Sequence, residues 1–303
     1  MTIRADAVTV RFRRGVIRRP FTALDGLNLE VREGDFFALL GQNGAGKSTA
    51  MHCLLGLLRP SSGRIEVLGC RPEPGAAFFG QVGYLPEEPR YHEYLTVEEA
   101  VTYYARLSGV RVPPPRIADI LERLGLAEHR TLAIRRCSKG MKQKVGIAQC
   151  VIHEPRLLFL DEPMRGLDPM TVHLFRDMLL EMHRNGVTIL MNSHLLAEVE
   201  LVATRVAIIE RGRVVAQDAV SKLIHRDASR YAVELDAVDA PPPHLQNVTR
   251  TDGRVRGTLA EADLYAFMDY ARGQGLRILS CAIEKQSLEE SFVAIVRGGR
   301  RDA

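Results

Sequence analysis

The feature that most restricts the fold of this chain is a glycine-rich stretch that ends in a lysine and two hydroxyl residues. Residues 41–49 read Gly-Gln-Asn-Gly-Ala-Gly-Lys-Ser-Thr, which fits the phosphate-binding pattern G-x-x-x-x-G-K-[ST]. The apolar run Phe36–Leu40 predicts a buried strand before it, and residues 48–58 predict a helix after it. A strand, a tight loop and a helix in this order predict an α/β fold with an anion site at the loop.

Each residue type in this loop suits the binding of phosphate. The glycines let the backbone wrap tightly, so that successive N–H groups face an anion, and the helix adds the positive end of its dipole. Lys47 supplies a positive charge for the outer phosphates, and the Ser48 hydroxyl can bind Mg²⁺. We therefore expect the loop to hold a nucleotide through Gly41, Asn43, Gly44, Ala45, Gly46, Lys47, Ser48 and Thr49.

A second, acidic element follows later in the chain. Residues 157–160 are a short apolar run, Leu-Leu-Phe-Leu, that ends in Asp161 and Glu162. A carboxylate at the carboxyl end of a buried strand in an open α/β sheet lies where ligands bind. Asp161 can hold Mg²⁺ directly or through water, and Glu162 can polarise an attacking water as a general base. The alternative is a strand that ends in two solvated acids, and the phosphate loop in the same chain favours the catalytic interpretation.

Three further motifs accompany these two in a fixed order. Residues 138–144 precede the acidic strand, residues 166–169 follow it, and residues 192–194 end the next apolar strand. With these motifs the chain resembles the nucleotide-binding subunit of an ATP-binding cassette (ABC) transporter over about residues 3–225. The resemblance implies a P-loop NTPase domain of the ABC type, with a mixed sheet, an antiparallel β layer and a helical subdomain at about 89–156.

The resemblance implies roles for single residues at the nucleotide. Residues 41–49 correspond to the Walker A loop and residues 157–161 to the Walker B strand. Glu162 matches the catalytic glutamate, and His194 matches the switch histidine that contacts the γ-phosphate, so that both act with Lys47 in catalysis. Phe12 falls where the family places an aromatic ring that stacks on adenine.

The resemblance also implies partners. Ser138 and Gly140 match the signature motif, which in this family completes the ATP site of the opposite subunit, and Asp168 matches the D-loop aspartate. The implied cofactors are ATP and Mg²⁺. The implied partners are a second cassette, identical or paralogous, with ATP at the interface, and a separate transmembrane permease, with no specific nucleic acid. The implied location is the cytoplasmic face of a membrane, where the subunit is peripheral.

Three departures from the family pattern matter. The signature reads Cys-Ser-Lys-Gly-Met over 137–141 instead of Leu-Ser-Gly-Gly-Gln, and we expect the Lys139 side chain to turn to solvent rather than to the phosphate. Glu87 replaces the glutamine of the Q-loop, which leaves Ser48, Asp161 and Glu87 as the expected metal ligands. The pair at 164–165, Met-Arg, replaces the small polar pair common before the D-loop.

Composition sets the remaining limits. The 303 residues can hold one large domain and a small one. No apolar stretch approaches the ~18 residues of a membrane span, and the N-terminus lacks the apolar core of a signal peptide. The five cysteines include no Cys-x-x-Cys pair, which favours reduced thiols in a cytoplasm.

The pattern of apolar residues divides the chain near residue 225. Helices are expected at 98–108, 115–124 and 139–153, and strands at 63–68, 81–85, 157–161, 187–191, 205–209 and 213–217. Residues 226–303 are expected to form a small α/β accessory domain, with strands at 231–235 and 276–284 and a helix at 261–272 between them. Residues 287–292 resemble a C-terminal segment common in cassette subunits of drug, polysaccharide and sodium exporters.

The leading hypothesis is an ATPase that powers a membrane exporter, with helices near residues 87–95 passing the motion to the permease. One alternative is a cassette ATPase that acts on nucleic acid or ribosomes, but such proteins usually carry two cassettes or a long coiled coil. A P-loop kinase would lack the signature and D-loop elements. A nucleotide-gated regulatory subunit is disfavoured by the presence of Glu162 and His194.

Overall fold

The computed structural model describes residues 1–12, 21–73, 77–224, 226–236, 240–251, 253–285 and 287–299. The chain divides into two compact units. The first comprises Met1–Val220 together with the chain from Ile295 onward, and the second comprises Ser221–Ala294. Within the described ranges, none of the helices combines the length and the apolar character that crossing a membrane requires.

Strands and helices follow one another in the following order along the described chain. The strands are β1 (Ile3–Phe12), β2 (Phe21–Val31), β3 (Phe36–Leu40), β4 (Ser62–Val67), β5 (Val82–Leu85), β6 (Leu157–Asp161), β7 (Thr188–Asn192), β8 (Arg205–Glu210), β9 (Arg213–Ala219), β10 (Arg226–Leu235), β11 (Gln246–Thr251), β12 (Arg254–Ala260) and β13 (Ile278–Lys285). The α-helices are α1 (Lys47–Leu54), α2 (Val97–Leu107), α3 (Pro114–Arg123), α4 (Lys139–Val151), α5 (Pro169–Arg184), α6 (Leu196–Val202), α7 (Val220–Leu223), α8 (Leu264–Gly273) and α9 (Leu288–Gly299).

A six-stranded sheet forms the centre of the first unit, in the order β5-β6-β7-β3-β8-β9. The strands are parallel except at the pair β8–β9. Strands β3, β6 and β7 are buried at every residue, and their sequences are correspondingly apolar because both faces of such a strand are covered. The loops that follow these three strands converge at the carboxyl edge of the sheet, which positions the site described below.

A second, antiparallel sheet packs beside it, in the order β2-β1-β4. Its buried side chains, such as Val8 and Leu27, join the same core as Met51 of α1 and Leu39 of β3. Helix α1 is shorter than the expected 48–58 and ends at Leu54. The chain turns there through Gly56, where φ is 70° and a Cβ atom would lie 2.9 Å from the main chain of Pro72.

The helical subdomain contains α2, α3 and α4, whose ends agree with the expected helices to within two residues. Thr96 caps α2 through a reciprocal pair of bonds with Glu99, which satisfies two N–H groups of the first turn. Residues 87–95 are irregular, and the helix near them is α2, which begins at Val97. Pro86 and Pro89 explain the irregular segment, since proline removes a backbone donor and restricts the residue before it.

The second unit has a four-stranded antiparallel sheet in the order β11-β12-β10-β13. Its core joins Val233, Leu235, Val255 and Leu259 of the strands to Phe267 of α8. The two strands and the helix expected in this region are present, although α8 begins only at Leu264. Strands β11 and β12 were not expected from the sequence, and β11 in particular is mostly exposed and polar.

Candidate functional site

The phosphate loop, residues 41–46, joins the carboxyl end of β3 to the first turn of α1. Gly46 is the N-cap of α1 with φ at 110°, and Gly44 has φ at 80°, which are angles that favour glycine. A Cβ atom on Gly46 would lie 2.7 Å from the carbonyl oxygen of Ala23, and one on Gly41 would lie 2.5 Å from the main chain of β8. The loop therefore needs glycine for its conformation and for the close approach of its neighbours.

The main chain behind the loop fixes its shape. The N–H of Gly212 donates to the carbonyl oxygen of Ala45 at 2.8 Å, and the N–H of Asp25 donates to that of Gly212 at 3.0 Å. Within the loop, the N–H of Ala45 donates to the carbonyl oxygen of Gln42 at 3.1 Å. The turn between β8 and β9 thus bonds the loop directly, and β2 bonds that turn.

Lys47 lies beneath the loop with its ammonium group against loop carbonyls. Its Nζ donates to the carbonyl oxygens of Gly41 at 2.6 Å and Gln42 at 3.3 Å, and the residue is 7% exposed. Burial lowers the pKa of Lys47, while the carboxylates of Glu162 and Asp161 act in the opposite direction. A phosphate can therefore gain a strong, poorly hydrated donor here, because the ammonium exchanges neutral carbonyls for an anion.

Asp161 ends strand β6 beside the end of β7. It is 5% exposed and pairs in register with Asn192, whose Nδ2 donates to Asp161 Oδ1 at 3.1 Å. The buried Oδ1 atom of Asn192 has no hydrogen-bond partner among the described residues. A carboxylate, an amide oxygen and the Ser48 hydroxyl are oxygen groups of the kind that Mg²⁺ accepts, directly or through water. The residues present therefore fit a hydrated Mg²⁺ ion.

Glu162, the next residue, is the most constrained group of the site. Its φ is 49°, which is uncommon for a residue other than glycine. Its N–H donates to the carbonyl oxygen of Asn192 at 3.1 Å, and its Oε2 lies 2.7 Å from His194 Nδ1. Such backbone strain concentrates at functional sites, where the surroundings hold it in place. The bonds to β7 and its following loop supply that restraint.

Glu87 and Arg165 meet across the same edge of the sheet. Glu87 follows β5, and Arg165 lies in the turn after β6, where its N–H donates to the carbonyl oxygen of Glu162 at 3.1 Å. The side chains form an ion pair between Arg165 Nη1 and Glu87 Oε1. The two replacements that the sequence shows as separate departures are therefore one contact in the structure.

An open cleft of about 470 Å³ lies over the phosphate loop. It brings together most of the predicted nucleotide residues, and it is lined by Phe21, Ala23, Asn43, Gly44, Gly46, Lys47, Ser48, Thr49, Glu87, Glu162, Arg165 and His194. Gly41, Ala45 and Asp161 are buried and do not belong to this lining. Sequence analysis missed Phe21, Ala23 and Arg165.

The aromatic residue in the lining of the cleft is Phe21, and the predicted Phe12 is its neighbour across the two strands. The two are paired in register across β1 and β2, and both are substantially exposed. Phe21 contributes to the lining and Phe12 does not. The signal that could have found Phe21 is the cross-strand register, which places aromatic residues side by side where β1 ends and β2 begins.

Ser138, Gly140 and Asp168 do not line the cleft. Ser138 is the N-cap of α4, and its Oγ accepts from the N–H of Met141 at 3.1 Å. Asp168 is the N-cap of α5, and the hydroxyl and the N–H of Thr171 donate to its carboxylate, which lowers its pKa. Ser138 and Gly140 therefore lie at the start of α4, and Asp168 lies at the start of α5, in the same unit as the cleft.

Comparison with known proteins agrees with this geometry. A family model described as "ABC transporter" matches residues 24–165. The chain is 41% identical to an uncharacterized ABC transporter ATP-binding protein of Nostoc sp., covering 89% of this chain and 82% of that protein. It is 32% identical to the bacitracin transport ATP-binding protein BcrA of Enterococcus faecalis, covering 92% of each.

Solved structures show the same fold. The dimeric ATP-binding cassette MJ0796, in a post-hydrolysis state bound to ADP and Pi, is 20% identical and superposes with a TM-score of 0.66, covering 72% of this chain and 98% of that one. The phosphate loop, the acidic strand and the histidine that meets Glu162 lie together in the fold that these proteins share. The chain is therefore a member of the ABC transporter ATP-binding proteins, and it is an ATPase.

Proposed function

We propose that this subunit powers a membrane exporter by closing on ATP with a second cassette, either a copy of this chain or a paralogue. The observation that carries the proposal is the separation of Ser138 and Gly140 from the cleft that Lys47 and Glu162 line. A cleft that needs a signature motif obtains it from another subunit. In a head-to-tail pair, each cleft receives the start of the partner's α4, and the dimeric form of MJ0796 supports such a pair.

The start of α4 has the chemistry to receive a γ-phosphate. Ser138 Oγ accepts a bond from the N–H of Met141, so its hydroxyl hydrogen is available to donate to an anion. The N–H groups of the first helical turn point the same way, as they do at the phosphate loop. Lys139 is exposed, and its aliphatic stem runs beside Gly166, which supports a solvent-facing ammonium.

Hydrolysis follows from the groups in the cleft. When bound, Mg²⁺ offsets the charge of the phosphates, with Ser48, Asp161 and Glu87 as its proposed ligands. Lys47 exchanges its loop carbonyls for the outer phosphates. Glu162 accepts a proton from the attacking water at a carboxylate oxygen, and His194 holds that carboxylate through Oε2.

The adenine base is proposed to stack where β1 ends and β2 begins, at the pair of Phe12 and Phe21. Both rings are exposed enough to cover one face of a base. Asp168, at the start of α5, is proposed to face the partner cassette beside the signature residues. These roles place the remaining predicted residues around one nucleotide.

The permease is proposed to dock on the helical subdomain. Tyr94 is 74% exposed, and with Tyr103 it packs against the ring of His92. An aromatic surface therefore joins the irregular segment 87–95 to helix α2. Export is supported by the likeness to BcrA, whose name assigns it to bacitracin transport. The subunit is then peripheral at the cytoplasmic face of the membrane, with residues 1–225 as the ATPase domain and 226–303 as an accessory domain.

Light scattering of the Glu162→Gln variant tests the proposed ATP-dependent dimer. An amide cannot take a proton from water, so this variant should bind ATP-Mg²⁺, lose turnover by about 10²–10⁴-fold and accumulate as a dimer with ATP. The wild-type protein under ADP-Mg²⁺ is the control and should stay monomeric. A Glu162→Gln protein that remains monomeric with ATP at high protein concentration would contradict the proposed closure.

A further inference from the structure

The ion pair between Glu87 and Arg165 lies on the lining of the nucleotide cleft. The side chain of Glu87 is 38% exposed and that of Arg165 is 55% exposed, so both face the open space rather than the core. A surface ion pair of this exposure contributes little to stability. Its position suggests a role in binding instead.

Arg165 is held at this place by its backbone. The N–H of Arg165 donates to the carbonyl oxygen of Glu162, and the next residue, Gly166, has φ at 76°. The same turn is tied to α4, because Gln143 Nε2 donates to the carbonyl oxygen of Pro163 at 3.3 Å. The turn that positions the general base Glu162 therefore also positions the guanidinium of Arg165.

The charges around the cleft explain why a guanidinium belongs there. Glu87 and Glu162 line the cleft, and Asp161 lies at the adjoining strand end. Apart from His194, the basic side chains among the lining residues are Lys47 and Arg165. Without Arg165, a single lysine would face three carboxylates and the phosphates of the nucleotide, and these like charges repel one another.

We propose that Arg165 is the counter-ion of Glu87 and sets the affinity of the cleft for polyphosphate. The pair is neutral, so it stands in for the uncharged side chain that the family pattern places at residue 87. Arg165 is thus a positioning residue that acts through Glu87. The carboxylate has a second oxygen, Oε2, so the pair leaves Glu87 among the proposed Mg²⁺ ligands. The inference rests on the proposed function only in that ATP occupies this cleft.

A double-mutant cycle measured by calorimetric titration tests the pairing. In Arg165→Ala, the unpaired carboxylate should weaken the binding of ATP in EDTA about tenfold, as expected for one unit charge at about 8 Å and an effective dielectric constant of about 30. The loss should be smaller for ATP-Mg²⁺, which carries less negative charge. Glu87→Gln alone should tighten the binding by a similar factor, and the Glu87→Gln/Arg165→Ala double variant, which is again neutral at these two positions, should have a Kd within about twofold of wild type.

Arg123→Ala is the matched control, because it removes an exposed ion pair with Glu181 away from the cleft and should leave the Kd unchanged. Circular dichroism establishes that each variant is folded. A double variant that binds ATP as weakly as Arg165→Ala would overturn the proposal by assigning Arg165 a direct phosphate contact. Unchanged affinity in Arg165→Ala would also overturn it. A wild-type protein that fails to bind ATP would instead refute the assignment of the cleft, before the cycle is interpreted.

Discussion

Replacement of Lys47 by methionine separates the charge of the phosphate loop from the packing of its side chain. Lys47 is 7% exposed, and Nζ bonds the carbonyl oxygens of Gly41 and Gln42. Methionine has a stem of similar length and no charge, so the apolar contacts of the stem are largely kept. The variant therefore removes an ammonium and its hydrogen bonds without opening a large cavity.

The change should weaken the binding of ATP but leave the stability of the fold nearly unchanged. Loss of the bond to the Gly41 carbonyl costs about 1–3 kcal/mol, but the variant also removes the cost of burying an ammonium, which is the cause of the lowered pKa of Lys47. We expect these terms to leave the free energy of unfolding within about 1 kcal/mol of wild type. A charge-assisted bond to phosphate is worth about 1.5–3 kcal/mol, so the loss of one such bond should make ATP bind about 10- to 160-fold more weakly.

Urea unfolding and calorimetric titration with ATP-Mg²⁺ measure the two effects on the same preparation. Lys222→Ala, which changes a lysine of the second unit, is the control and should retain wild-type affinity. The reasoning would be refuted by a Lys47→Met protein that binds ATP within threefold of wild type. It would equally be refuted if the loss of affinity were accompanied by a matching loss in the free energy of unfolding, because the charge would then stabilise the folded protein and not only the bound phosphate.

Two further predictions concern the helix starts. Ser138→Arg should abolish steady-state ATPase activity while the monomer still binds ATP, because the bulky side chain blocks the partner's cleft. Lys139→Gly should leave the ATPase activity nearly unchanged. Loss of activity in Lys139→Gly would refute the interpretation that the Lys139 ammonium faces solvent. Asp168→Ala should lower the Tm. The Thr171 bonds depress the pKa of Asp168. The difference in Tm between wild type and Asp168→Ala should therefore be largest above about pH 4 and should shrink as the pH falls through the lowered pKa. A difference that does not change with pH would exclude the carboxylate as its cause.

The phosphate loop and the acidic strand were predictable because their signals are local. Gly41 to Thr49 lie in one continuous stretch, and β3 and β6 are apolar runs that only a doubly covered strand produces. The carboxyl ends of parallel strands share one edge, so Asp161 and Asn192 had to approach each other once the sheet formed. Fold class and the centre of the cleft follow from these facts alone.

Contacts that depend on pairing between distant segments were not predictable. Phe21 reaches the cleft because of its register with Phe12, and no residue near Phe21 carries that information. Strand β11 is polar because most of its side chains face solvent, and its place is set by hydrogen bonds to β12. Sequence patterns report burial, and an exposed strand or a partner across a sheet leaves little of that signal.

The restraints on Glu162 show how these distant pairings complete a site that local motifs only begin. Its N–H is bound by β7 through Asn192, its carbonyl oxygen accepts from Arg165, and its Oε2 meets His194. A φ of 49° would relax if any one of these held it alone, because such strain costs of order 1–3 kcal/mol. Three contacts over-determine the residue, one each from β7, the loop after β7 and the turn after β6. The general base is therefore placed by the order of strands β6 and β7 in the sheet, and the motif supplies only its chemistry.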